Sequence, residues 1–181
     1  MTLNNPTIEQ IINYQSNSLV IDGIVTIAVI KEITKSKIIE RLYIKNIDYI
    51  GDESAIILSK SKSIEDLYIN NNNITDVGAI ALSTSKSLKY LSIGSNSVGD
   101  PGAIALSKSR LIGLNIAKNN ITNVGAMELT KSNIRILDMY GNNITCHDNT
   151  TYIRINYNSR TFYTEFSVHN ALNWSQKYMI L

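Results

Sequence analysis

One stretch stands three times in nearly the same words. The copy at 67–87 reads LYINNNNITDVGAIALSTSKS, and its frame comes back at Leu91 and Leu114. That frame is Leu-x-Ile-x-x-Asn-x-Ile/Val followed by Gly-Ala-x-x-Leu. A fixed period of this size means each copy is one small unit that cannot bury its apolar side alone. The copies must therefore stack as a solenoid. Weaker copies extend the array. Frame starts fall at Leu19, Leu42, Leu67, Leu91, Leu114 and Leu137, spaced by 23, 25, 24, 23 and 23 residues. The first copy is degenerate, with Leu19-Val20-Ile21 filling the strand frame. The second carries one extra residue, so Ile47 falls where later copies have Asn.

Each residue type in the frame has a physical job. In Leu67-Tyr68-Ile69 side chains alternate, so Leu67 and Ile69 point inward and Tyr68 outward. A strand this short is held only by pairing with neighbouring copies. Asn72, Asn96, Asn119 and Asn142 stand five residues after the frame leucine. There the chain turns away from the strand and its backbone loses ladder partners. A buried carboxamide can both donate and accept, so a stack of them satisfies those groups. Ile74, Val98, Ile121 and Ile144 return to the core.

A helix follows in each copy. Asp76, Asp100 and Asn123 suit its N-cap, and Pro101 suits its first position. The Gly-Ala pairs at 78–79, 102–103 and 125–126 let the helix lie close against the sheet. Leu58, Leu82, Leu106 and Leu129 anchor it. About two turns of helix are too short to stand alone, so the copies depend on one another.

These residues make the leucine-rich repeat signature. The strand part, such as LKYLSIGSNSV at 88–98, resembles any leucine-rich repeat. The helix part, VGAIALS at 77–83 and PGAIALS at 101–107, resembles the GALA-type repeats of secreted bacterial effectors and is similar to the ribonuclease-inhibitor-like class. The resemblance covers Leu19 to Thr145. It implies an α/β fold: a short right-handed solenoid arc, with a parallel concave sheet and short convex helices. It also implies a non-catalytic module that binds a protein partner on the concave face, as a bacterial effector or cytosolic scaffold. Many GALA-type effectors carry an F-box before the repeats, and the residues before Leu19 are too few for one.

The flanks read as caps, because terminal core layers of a solenoid have no neighbour. Residues 1–18 form the N-terminal cap, with a helix start at 5–9 and Ile8, Ile11 and Ile12 on one face. Residues 146–181 form the C-terminal cap. It is a β-hairpin from Tyr152–Tyr157 and Thr161–Phe166, turned at Asn158-Ser159, followed by a short helix over 168–180. Its aromatics cover the last core layer, or, if exposed, offer a dimer face to an otherwise monomeric chain.

The candidate site is the set of outward positions on the strands. They are Arg41, Tyr43 and Lys45; Asp66, Tyr68 and Asn70; Tyr90, Ser92 and Gly94; Gly113, Asn115 and Ala117; Ile136, Asp138 and Tyr140. Adjacent strands lie about 4.8 Å apart, which places Tyr43 beside Tyr68 and Tyr90 one column over. Tyrosine offers large contact area with few torsions to freeze. It also simply suits strands. Binding is preferred because these columns carry unlike residues in successive copies, and a purely structural repeat has no need to vary there.

Two basic columns follow the helix ends: Lys35, Lys60, Lys108 and Lys131, then Lys37, Lys62, Lys86 and Arg110. Cations favour helix C-termini. The alternative is an anionic partner, nucleic acid or phospholipid headgroup, and the lack of interleaved aromatics speaks against single strands. A further alternative is an inhibitor that plugs an enzyme. Cys146-His147-Asp148 has the letters of a thiol protease, but triad members must converge in space rather than in sequence. Two histidines and one cysteine fit no usual zinc spacing. No metal or cofactor is expected. The Asn-Ile-Thr triplets at 73, 120 and 143 belong to the repeat rather than to glycosylation. A single cysteine and a polar N-terminus without a cleavable signal pattern place the chain in a cytoplasm, its own or a host's. The net charge of +2 implies no nucleic-acid or membrane partner by itself.

Overall fold

The fold is described from a computed structural model over residues 2–45, 50–145, 152–157 and 160–165, the last two stretches as backbone only. Seven strands form one parallel sheet in chain order: β1 (Thr2–Asn4), β2 (Ser18–Asp22), β3 (Arg41–Lys45), β4 (Asp66–Tyr68), β5 (Tyr90–Ser92), β6 (Gly113–Asn115) and β7 (Ile136–Asp138). Between them run α1 (Ile8–Ile12), α2 (Ile27–Lys35), α3 (Gly51–Leu58), α4 (Asp76–Ser83), α5 (Asp100–Ser107) and α6 (Asn123–Lys131). The result is a leucine-rich-repeat solenoid arc, with the sheet on its concave side.

The frame leucines pair strand to strand without a slip. Leu19, Leu42, Leu67, Leu91, Leu114 and Leu137 are register partners. All six are buried, as are Ile21, Ile44, Ile69, Ile93, Ile116 and Met139 two residues later. Leu58, Leu82, Leu106 and Leu129 close the core from the helices. Each such side chain removed from water contributes about 1.5–3 kcal/mol.

The N-terminal segment carries a strand that the pattern did not announce. Leu3 of β1 pairs with Ile21 and is buried. The following helix is capped by Thr7, whose side chain accepts from Gln10 N while Gln10 returns the bond. A helix of five residues can turn few positions inward. Ile11 is buried, but Ile8 and Ile12 are exposed, so the three do not share one covered face.

The asparagine ladder forms, and it reaches backwards along the array. Asn96 Oδ1 accepts from Asn72 N and Ile74 N, both at 2.9 Å, while its Nδ2 donates to Ile69 O, Ile93 O and Gly94 O. Asn119 accepts from Val98 N and donates to Ile93 O, Ile116 O and Ala117 O. Asn142 accepts from Asn119 N and Ile121 N and donates to Ile116 O and Met139 O. Asn72 donates to Asn70 O. Position 47, where the second copy substitutes Ile, lies outside the described residues.

The helix starts correct the capping expectation. Asp76, Asp100 and Asn123 are not N-caps but first helical residues, and Pro101 is second. The N-caps are Thr75, Gly99 and Thr122. The acidic residues instead reach forward to the next helix. Asp52 Oδ1 accepts from Thr75 N and Gly78 N, and Oδ2 from the Thr75 hydroxyl at 2.6 Å. Asp76 Oδ1 takes Gly99 N and Gly102 N. Asp100 repeats the Asp52 pattern on Thr122 and Gly125. A carboxylate at a helix N-terminus meets both free N–H groups and the positive end of the helix dipole.

The glycines make room for this. A Cβ at Gly102 would stand 2.8 Å from Asp76 Oδ1 and 3.0 Å from the Ala79 Cβ. The glycine of each pair thus brings neighbouring helices together. Ser61 and Ser85 are buried beyond the helix ends, and Ser63 and Ser87 hydroxyls donate to Ser36 O and Ser61 O of the preceding copies.

A second, two-stranded antiparallel sheet follows, β8 (Tyr152–Tyr157) and β9 (Arg160–Glu165), with β8 against β7 and α6. The hairpin expected from the alternation is present, its second strand one residue earlier at both ends. The helix expected over 168–180 lies outside the described residues, as do Cys146, His147, Asp148, His169 and Trp174.

Candidate binding face

Pleating sends every second strand residue to the concave side, and strand register gathers these into columns. Ser18, Arg41, Asp66, Tyr90, Gly113 and Ile136 form the first. Val20, Tyr43, Tyr68, Ser92, Asn115 and Asp138 form the second. Asp22 and Lys45 pair in the third, which Asn70, Gly94, Ala117 and Tyr140 continue. The sequence reading began this face at Arg41 and omitted Ser18, Val20 and Asp22. β2 pairs with β3 along its whole length, so Ser18, Val20 and Asp22 continue the columns, and the degenerate first copy hid them.

Tyr43 and Tyr68 lie side by side and stack, with ring centroids 4.3 Å apart and planes 7° from parallel. Burial, then the neighbouring Tyr43 and Asp66, raises the Tyr68 phenol above its ordinary value, so its hydroxyl remains a proton donor. Tyr90 is 37% exposed and its ring lies over Gly113, where a Cβ would meet Cδ1 at 2.6 Å. Gly113 is therefore the seat of the Tyr90 ring rather than open floor. Ile136 and Tyr140 are each 45% exposed at the far end of the face.

The polar residues are arranged among themselves. Arg41 and Asp66 form an ion pair at 3.8 Å. Burial raises the Asp66 carboxyl, and Arg41 pulls it back. Both partners are partly solvated, so the pair adds little stability. Just below the first column, Lys89 and Glu65 pair at 2.7 Å. Asn70 Oδ1 accepts from the Ser92 hydroxyl at 2.8 Å and Gly94 N at 2.7 Å. Ser92 is consequently buried, as are Gly94 and Gly113 among the expected outward positions. Asn115 Oδ1 accepts from Ala117 N, and Asp138 Oδ1 from Tyr140 N, the same local turn in successive copies. Lys45 is exposed beside Asn70.

The basic columns are exposed along the helix ends. Lys35 and Lys131 are each paired within their own helix, with Glu32 and Glu128 at 2.8 Å. Among the described residues, no group of His, Cys, Asp or Glu is placed to hold a metal ion. Nor is any described helix long and apolar enough to cross a membrane.

Three stretches, 60–83, 84–107 and 112–129, match the Leucine Rich repeat family model. With the parallel sheet and alternating helices, these matches support the architecture of a leucine-rich-repeat solenoid. Repeats of this class are typically non-catalytic and generally mediate protein–protein interaction. Among solved structures the chain is similar to a plant ice-binding protein, at 17% identity and a TM-score of 0.52. That match covers 80% of this chain and 46% of the other, so the chain spans just under half of its length and the likeness is one of fold. No curated protein matches the chain.

Proposed function

We propose that the protein is a non-catalytic interaction module that takes a protein partner on its concave face. The observation that carries this reading is the stacked Tyr43–Tyr68 pair with Tyr90 beside it, on a face whose columns change residue from copy to copy. Buried columns of the same strands hold Leu and Ile almost throughout. Rigid aromatic rings with a polar tip are the residues that carry contact energy at protein interfaces. The setting that goes with the reading is a cytoplasm, and the GALA-like helix segments support an effector acting inside a host cell.

Affinity capture from cell lysate tests it, with the intact chain beside a Tyr43→Ala, Tyr68→Ala, Tyr90→Ala variant of matched circular dichroism. A protein held by the intact chain and released by the variant is the expected result. A partner held equally by both would remove the concave face from the function.

A further inference from the structure

The convex side of the array carries apolar residues that the fold does not need there. Positions 77, 80 and 84 along α4, 101, 104 and 108 along α5, and 124, 127 and 131 along α6 are spaced to share the outer face of each helix. Because α4 packs on α5 and α5 on α6, these positions line up in rows across the helices. Val77, Pro101 and Val124 make the first row, and Ile80, Ile104 and Met127 the second. Val77, Ile80, Val124 and Met127 are between 44% and 59% exposed. The first two copies show that the repeat accepts charge here. Lys31 stands where Ile80 does and Glu53 where Val77 does, both exposed. The third row differs in kind. Thr84, Lys108 and Lys131 hold it, with Lys60 ahead of them, and Lys62, Lys86 and Arg110 form a further row past the helix ends, all exposed. The carboxylates of these helices leave most of that charge standing. Asp76 and Asp100 are turned to the N–H groups of the next helix, and Glu128 meets Lys131 at 2.8 Å.

We propose that this convex face docks on an anionic lipid surface. Val77, Ile80, Val124 and Met127 enter the headgroup boundary, and the two basic rows meet the lipid phosphates. The inference stands apart from the concave-face reading, and either can fail without the other. Contiguous exposed apolar side chains mark a surface that something covers. A bilayer surface offers hydrocarbon and negative charge side by side, which is what adjoining apolar and basic rows require. A nucleic acid would satisfy the lysines and leave Val, Ile and Met against phosphate. A second copy would bring the same lysines again, while the aspartates that could receive them are spent on the helix N-termini.

Co-sedimentation with vesicles tests it, using the intact chain beside two variants of matched circular dichroism. One carries Ile80→Ser and Met127→Ser, the other Lys60→Glu, Lys62→Glu and Lys108→Glu. Phosphatidylcholine vesicles with about one third phosphatidylserine should bind the intact chain, and phosphatidylcholine alone should not. Each variant should bind about tenfold more weakly, and added salt should weaken the intact chain as well. Soluble glycerophosphoserine should not compete, because the apolar rows need the surface and not the headgroup alone. The Tyr43→Ala, Tyr68→Ala, Tyr90→Ala variant should bind vesicles like the intact chain. Failure to bind the anionic vesicles overturns the proposal. So does binding indifferent to Ile80→Ser and Met127→Ser, or binding that prefers duplex DNA to vesicles. A dimer in sedimentation that those two serines dissolve would give the face to a second copy and overturn it too. Loss of vesicle binding in the tyrosine variant would move the lipid contact to the concave side, with the same result.

Discussion

Gly99 and Pro101 depart together from their neighbours, and the geometry shows why. At α4 and α6 the cap hydroxyls of Thr75 and Thr122 accept from the second helical N–H, on Val77 and Val124. Pro101 has no N–H to give, so the hydroxyl at 99 has lost one of its two uses. Its other use persists, since Thr75 and Thr122 also donate to Asp52 and Asp100. A Cβ at Gly99 would sit 3.4 Å from Asp76 Oδ2, in ordinary contact. Gly99→Thr should therefore raise stability by about 0.5–1 kcal/mol, through one new hydrogen bond and a stiffer unfolded chain. A urea midpoint that falls instead would show that the Asp76 carboxylate is not available. Asp100 gives a pH signature. Burial raises its carboxyl, but the hydroxyl and amide of Thr122 and the amide of Gly125 outweigh this and hold it below 3.8. A depressed folded value stabilises the fold above the unfolded value and is lost as pH falls through the folded one. Asp100→Asn should thus cost about 1 kcal/mol at neutral pH, given partial solvation. The gap from the intact chain should close as pH drops below 3.8. A gap constant across that range would remove the carboxylate's charge from the account.

At the scale of one element, the asparagine turn is the part of the repeat with the most to lose. Asn119 is 5% exposed and satisfies Val98 N and three carbonyls from two copies. Asn119→Ala should cost about 2–4 kcal/mol, because it leaves buried backbone groups unpaired. Amide exchange should speed up in β5 and β6 together, and loss confined to β6 would contradict the cross-copy bonding. This ladder was legible in the sequence because Asn recurs at a fixed distance from the frame leucine. The aspartate ladder has the same kind of regularity, at Asp52, Asp76 and Asp100, yet Asp76 and Asp100 read as ordinary capping. Spacing within one copy cannot show whether a side chain turns to its own helix or to the next. The same limit hid the covered state of Ser92 and the seating of Tyr90 on Gly113, which depend on cross-strand neighbours rather than on period.

At the scale of the whole molecule, the inward columns carry the architecture, and they are the most regular feature of the chain. Leu and Ile at fixed offsets dictate a parallel sheet with one buried side, so the order of strands and helices follows from the pattern. The ends follow it less well. β1 rests on Leu3 alone, and one apolar residue carries no period. The outward columns, free of the packing constraint, are where the residues differ and where recognition has room to be written.

The two ladders point in opposite directions. The second to fourth copies lend a carboxylate to the copy after them, and the third to fifth take the amide of their successor for their own turn. A unit cut anywhere in phase carries one half of both seams on each side. Tandem duplication of a segment such as 84–107 would thus deliver a piece whose carboxylate and amide reach both neighbours. The number of copies is the quantity such a gene can most readily alter, and each added copy would bring three more outward positions on which selection can act.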